Sequence, residues 1–142
     1  IVLRLFLVYG ERQSQERLIP QVIKGCLTNK KFPTSEGTQI RDFCHVDDVV
    51  DGIISALKTK NGLGNIINIA SGKPVEVKSV INNIVKIVGG GQPQFGVIKF
   101  RKGENMSLYA DINKAKDILN WEPTVDLKTG LNKTVKFYKL IS

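Results

Sequence analysis

The sequence predicts an α/β fold, and three observations carry that prediction. Residues 1–9 (I-V-L-R-L-F-L-V-Y) and 65–70 (N-I-I-N-I-A) are apolar at both parities, as in strands of a parallel sheet covered on two faces. Between and after them run stripes of apolar residues at helical spacing. Glycine, proline and asparagine punctuate each change of pattern.

The first run ends at Gly10, and residues 11–16 form a polar loop. Over residues 18–27, Leu18, Ile19, Val22, Ile23 and Leu27 mark a helix that tolerates Pro20 only because it falls in the first turn. A basic loop leads to a strand fragment at residues 32–34. Gly37 then turns the chain into a strand led by Ile40, Phe43 and Val46. Asp47 and Asp48 stand where a helix N-terminus wants side-chain acceptors. In the helix they open, Val49, Val50, Ile53, Ile54 and Leu57 share one side. After the second strand, residues 75–77 are extended and a helix runs from about 78 to 88. Val80, Ile81, Ile84, Val85 and Val88 point inward, and Gly89-Gly90-Gly91 stops the helix. Residues 95–101 read as extended. Asp111 is a candidate N-cap for a helix over 112–119, and Asp126 for the last helix, whose Leu131, Val135, Tyr138 and Ile141 share a face.

Composition excludes several classes. At 142 residues the chain buries a sizeable core. Its longest apolar run, residues 5–9, is far below the roughly 20 residues that cross a bilayer, so no membrane partner is expected. Cys26 and Cys44 lack metal-ligand spacing and are too few for a disulfide framework. They are expected to be reduced, small hydrophobes in a cytoplasmic protein. The net charge of +8 raises nucleic acid as a partner, but the lysines are scattered and no aromatic residues are interleaved with them. Nucleic acid is therefore disfavoured against an anionic small molecule. Ile1 opens inside a strand without a methionine, so the chain is expected to be part of a longer polypeptide.

Catalytic constellations are sparse. The one histidine, His45, lies in an apolar strand that favours a hydrogen-bonding role over catalysis. No G-x-x-x-x-G-K-[ST] loop occurs, and no Gly-rich dinucleotide turn. What remains is a set of polar residues at strand ends: Arg41, Arg101 and Glu104. Arginine's planar fork suits a diphosphate, and a carboxylate suits a ribose diol. From spacing alone, an Arg101–Glu104 salt bridge is the simpler reading of R-K-G-E.

Six blocks occur in order: L-R-L-F-L-V-Y-G, L-I-P-x-V-I, E-G-T-Q-I-R-D-F-C-H-V-D-D-V-V-D-G, N-I-A-S-G-K-P-V, R-K-G-E and Y-A-D-I-N-K-A-K-D-I-L-N-W-E-P. Together they resemble the C-terminal, substrate-binding part of the extended short-chain dehydrogenase/reductases, the NAD-dependent nucleotide-sugar epimerases and dehydratases. The resemblance implies that residues 1–10 and about 45–70 belong to the late part of a Rossmann domain. About 11–44 and 71–142 would belong mainly to the domain that holds the nucleoside-diphosphate sugar. It implies diphosphate contacts for Arg41 and Arg101, a ribose contact for Glu104, and places for Leu18, Phe32, Thr34 and Phe43 around the nucleotide. Tyr9 would lie beside the cofactor, NAD or NADP, in the parent enzyme.

In such a parent, hydride leaves the sugar for the nicotinamide while a tyrosinate takes the hydroxyl proton. This chain departs from the family's catalytic pattern. None of Tyr9, Tyr109 and Tyr138 has a lysine four residues on. Leu7 stands where many relatives carry an asparagine, and Glu11 where a proline often follows Tyr-Gly. The expectation is a nucleotide-sugar-binding portion that is inactive alone. It would work with a separate N-terminal Rossmann part, and its apolar strand edges would be covered by a partner or a second copy in a homo-oligomer. A nucleic-acid-binding or catalytically dead regulatory or dimerisation derivative of the fold is the alternative.

Overall fold

A computed structural model describes residues 1–141 as eight strands and five helices. The strands are β1 (Val2–Leu5), β2 (Leu7–Tyr9), β3 (Lys31–Pro33), β4 (Ile40–His45), β5 (Ile66–Ile69), β6 (Pro74–Glu76), β7 (Gln92–Gln94) and β8 (Ser107–Leu108). The helices are α1 (Leu18–Leu27), α2 (Val46–Lys58), α3 (Val77–Val88), α4 (Asn113–Leu119) and α5 (Leu127–Leu140). The α/β class and the alternation of elements agree with the sequence expectation.

The first apolar run is not one strand. It breaks at Phe6: β1 pairs in parallel with β5, and β2 pairs in parallel with β4. One stretch of chain thus stitches two sheets together. The two apolar runs whose edges were expected to be covered by a partner pair with each other, Val2 opposite Ile66 and Leu5 opposite Ile69. Burial on both faces is not observed, because nothing among the described residues covers the outer face. Val2 is 60% and Ile66 50% exposed.

β4 is the hub of the larger sheet. Its second half pairs with β2; its first half is flanked by antiparallel β6 and parallel β8, so Arg41 stands opposite Val75 on one side and Leu108 on the other. Gly37 admits the turn into β4 with φ +74°. A Cβ there would stand 2.9 Å from the Lys78 nitrogen, which donates to the Gly37 carbonyl.

Two apolar clusters follow. Ile19, Ile23, Val80, Ile81, Ile84, Leu131 and Val135 from α1, α3 and α5 pack with Tyr9 and Phe43. Cys44, Val49, Ile67, Ile69, Leu119 and Trp121 make the second. Both cysteines are free and buried, and burial pushes the Cys26 thiol up to about 11 and the Cys44 thiol up to about 12. Neither is a nucleophile at neutral pH.

Several local expectations are corrected. The N-cap of α2 is His45, whose Nδ1 accepts from the Asp47 amide; Asp47 and Asp48 occupy the first turn instead. Of the five apolar residues that share one side of α2, Val49 is buried, while Val50, Ile53, Ile54 and Leu57 are exposed, Leu57 at 82%. The N-cap of α4 is Ile112 and not Asp111, whose carboxylate accepts from the Asn113 amide in an Asx turn just ahead of it. Residues 95–101 contain a turn around Gly96 and no strand; the extended piece is β7, just before them. Ile141 is exposed beyond the end of α5. Asp126 does cap α5, accepting from the Thr129 amide at 3.0 Å, and Gly89 ends α3 in the left-handed conformation.

Two buried carboxylates knit the loops. Asp42, fully buried, accepts from the Ser71 amide at 2.7 Å, the Ser71 hydroxyl at 2.6 Å, the Gly72 amide at 2.9 Å and the Ala110 amide at 3.3 Å. Asp48 accepts from the Thr124 amide and hydroxyl and from the Val125 amide. Charge-assisted bonds of this number satisfy an anion in a dry interior, where an unpaired one would be costly.

Candidate functional site

A cleft of about 840 Å³ opens where β2, the loop after it, the start of α1, β4 and the 101–104 turn converge. The register of β4 sets its floor. Asp42 and Cys44 point to the buried side, so Arg41 and Phe43, one residue out of phase, both line the cleft. Arg41 donates through Nη1 to the Ile40 carbonyl at 2.9 Å and pairs through Nη2 with the Glu104 carboxylate at 2.5 Å. Both side chains are mostly shielded from solvent.

The Glu104 partner is therefore Arg41, sixty-three residues away in sequence, and the local Arg101–Glu104 bridge does not form. The reason is backbone geometry. The Glu104 amide donates to the Arg101 carbonyl at 3.0 Å, closing a turn in which Gly103 takes φ +77°. The turn sends the Glu104 side chain back to β4 and leaves Arg101 exposed in the cleft wall. Nearby, the Ile40 amide donates to the Met106 carbonyl at 2.8 Å, which, with the β8 pairing, fastens this strap to β4.

Leu18 opens α1 at the rim of the same cleft. The first turn of α1 contains no acidic residue, and its N-cap, Arg17, makes no side-chain cap. Its free amides and dipole present positive potential to the cleft. Arg12 and Arg17 also line it, bringing four arginines against the two glutamates Glu11 and Glu104. The lone positive-φ arginine, Arg12 at φ 62°, belongs to this loop. Gln13 and Gln39 line the cleft too, each with a buried side-chain oxygen lacking a partner among the described residues. These acceptors and the loop arginines were not picked out from sequence. A loop of E-R-Q-S-Q-E-R composition reads as solvated surface; most of it is exposed, and the fold sets Glu11, Arg12, Gln13, Ser14 and Arg17 along the cleft.

Tyr9 lies in the cleft's deep wall with 2% exposure. Its ring meets Phe43 and His45 edge-on, and its hydroxyl makes a long 3.5 Å bond to the Leu127 carbonyl. Burial raises its phenol well above the ordinary range, with Cys44 the next contributor, so it stays protonated. Phe32 and Thr34 do not line the cleft. Phe32 packs on α1, where a Cβ on Gly25 would stand 2.6 Å from its ring, and the buried Thr34 hydroxyl donates to the Gln94 carbonyl.

His45 is fully buried, with Nε2 facing a Glu11 oxygen at 3.5 Å. That approach is too long for a hydrogen bond, and Nε2 has no hydrogen-bond partner among the described residues; the imidazole's hydrogen bond is the one Nδ1 accepts from the Asp47 amide. Among the described residues no group of acidic, cysteine and histidine side chains is placed to hold a metal, and no helix is long and apolar enough to cross a membrane.

Arranged this way, the cleft suits an elongated polyanion. Four arginines line it, of which Arg41 is held by hydrogen bonds, the N-terminus of α1 reaches its rim, an aromatic ring sits in its floor, and two unpaired acceptors await hydroxyl or amide donors.

A sequence model of the NAD dependent epimerase/dehydratase family matches residues 1–70. The chain is 36% identical over 141 residues to a UDP-glucuronate 4-epimerase of Thermodesulfobacterium geofontis, covering 97% of this chain and 42% of that protein. It is 31% identical to a dTDP-glucose 4,6-dehydratase of Streptomyces griseus, covering 92% of this chain and 40% of that one. Among solved structures, the UDP-glucuronic acid 4-epimerase from Bacillus cereus, crystallised with UDP-glucuronic acid and NAD, superposes with a TM-score of 0.91 at 34% identity. The match covers 100% of this chain and 46% of that one. The chain thus spans less than half the length of each of these relatives.

Proposed function

Because this chain belongs to the NAD dependent epimerase/dehydratase family, as a portion of an extended short-chain dehydrogenase/reductase, we propose that it grips the nucleoside diphosphate of a sugar nucleotide. The observation that carries this reading is the cleft in which Arg41, Arg101 and the acid-free N-terminus of α1 converge.

Arg101, exposed and without an ion pair among the described residues, is the first cation a diphosphate meets. Arg41 lies deeper and supplies the second. Glu104 accepts from ribose hydroxyls, and the Phe43 ring packs beside the sugar of the nucleoside. Leu18 brings the α1 amides to the phosphates. Binding at these groups, remote from the reacting carbon, orients the sugar and so contributes to a later chemical step. Phe32 and Thr34 act at a distance from the cleft, by packing on α1 and by bracing the β3–β7 pair.

NAD accompanies the relatives, but this chain's residues do not make a cradle for it. No Gly-rich turn opens a helix, and the one candidate contact, Tyr9, has its hydroxyl turned to Leu127. Cofactor and proton transfer therefore belong to a dinucleotide-binding part outside these residues. Covering β1, β5 and α2 is the place such a part, or a second copy, takes.

Calorimetry with UDP and dTDP tests the reading. Wild type is expected to bind at least one of them, and Arg101→Ala to weaken that binding by about tenfold or more, the worth of one charge-assisted contact. Failure of wild type to bind either nucleotide overturns the proposal. The isolated chain is expected to show no NAD-dependent turnover of sugar nucleotides, and measurable turnover would remove the inactivity from it.

A further inference from the structure

The Arg41–Glu104 pair is preformed in a cleft otherwise dominated by cations. Of its two carboxylates, Glu11 faces His45, while Glu104 is spent on the arginine that a ligand anion would need. Two features hold it there. The turn with Gly103 at φ +77° aims the carboxylate, and the β8 pairing and the Ile40–Met106 bond fasten the strap that carries the turn. Arg41 is fixed from the other side by its bond to the Ile40 carbonyl. Neither partner is free to drift off in search of solvent.

We propose that Glu104 is a built-in counter-anion that gates the cleft against bare phosphates and admits only anions bearing a hydroxyl-rich group. The inference deepens the nucleotide reading above, on which its second half rests. An incoming anion must displace the Glu104 carboxylate from Arg41. The displaced carboxylate, still near the cation and partly shielded from solvent, repels the newcomer and needs new donors. Inorganic pyrophosphate at neutral pH offers no array of hydroxyls, so its binding carries the full cost of the exchange. A nucleoside diphosphate brings ribose hydroxyls that donate to the freed carboxylate and offset the loss. Glu104 thereby sets specificity by penalising the wrong ligand as well as by contacting the right one.

The test is the affinity for inorganic pyrophosphate, measured by calorimetry on the full 142-residue chain and on Glu104→Gln. The neutral isostere keeps a group that accepts from Arg41 and removes the repulsion. Its pyrophosphate affinity is expected to rise about tenfold, as for loss of a partly buried like charge, while the ratio of UDP to pyrophosphate affinity falls by at least as much. Glu11→Gln, which removes a cleft carboxylate that does not touch Arg41, serves as the control for general charge and is expected to change pyrophosphate binding less than threefold.

Unchanged or weaker pyrophosphate binding in Glu104→Gln, with a circular dichroism spectrum and melting temperature like wild type, overturns the gate. So does an equal gain in Glu11→Gln. Should Glu104→Gln melt early, Glu104→Asp, which shortens the reach to Arg41 and keeps the charge, gives the reading: a gain supports the gate and none refutes it. A wild type that ignores UDP, combined with a pyrophosphate gain in Glu104→Gln, would remove the nucleotide reading and leave the gate standing.

Discussion

Asp42 and Arg41 are neighbours with opposite duties, and the pleat of β4 divides them. Arg41 faces the cleft; Asp42 faces inward and gathers donors from Ser71, Gly72 and Ala110. Asp42→Asn keeps the shape but turns one accepting oxygen into a donor aimed at backbone amides. The expected cost is about 2–4 kcal/mol of folding stability, read as a lower urea midpoint with an unchanged slope; a loss below about 0.5 kcal/mol would mean these bonds are worth little net. At this scale the sequence was informative about identity and poor about partners. The R-D-F block marked Arg41 as an anion fork and the resemblance paired it in function with Arg101. From spacing alone Arg101 was the simpler partner for Glu104, because a three-residue separation is visible in a string and a sixty-three-residue closure is not. The buried role of Asp42 was equally hidden, since an aspartate beside an arginine reads as surface until the pleat is known.

Elements were more legible where a local signal was strong. The αL glycine ending α3 and the aspartate capping α5 follow from backbone chemistry that needs no tertiary context. The break at Phe6 did not, because apolar residues at both parities suit one long strand as well as two short ones. α5 carries a close approach that tests the packing. Gly130 sits against Tyr9 and His45, and a Cβ there would stand 2.1 Å from the Tyr9 hydroxyl oxygen. Gly→Ala inside a helix ordinarily adds about 0.5–1 kcal/mol of stability. Here Gly130→Ala is expected to remove about 1–3 kcal/mol instead, seen as a lower melting temperature. A stabilised variant would show that α5 shifts freely over β2 and β4.

At the scale of the whole molecule, the apolar residues divide into those the chain covers and those it leaves open. Val2, Leu5, Ile66, Val50, Ile54 and Leu57 are all exposed on β1, β5 and α2. For Val2, Leu5 and Ile66 the apolar pattern predicted burial, and among the described residues nothing covers them. The isolated chain is expected to self-associate at about 100 μM through this surface, with sedimentation velocity showing species beyond the monomer. Ile54→Lys together with Leu57→Lys should restore a single monomeric boundary without lowering the melting temperature, and monomeric wild type at that concentration would count against it.

The chain crossing at Phe6 has one more consequence. A peptide that ends one sheet and begins the next within a single residue acts as a mechanical link: the Phe6 amide donates to the Ile69 carbonyl at 3.2 Å on one side, and Leu7 opens the pairing with Phe43 on the other. A tug on β1 from whatever settles against it travels along the backbone into β2 and the loop that follows.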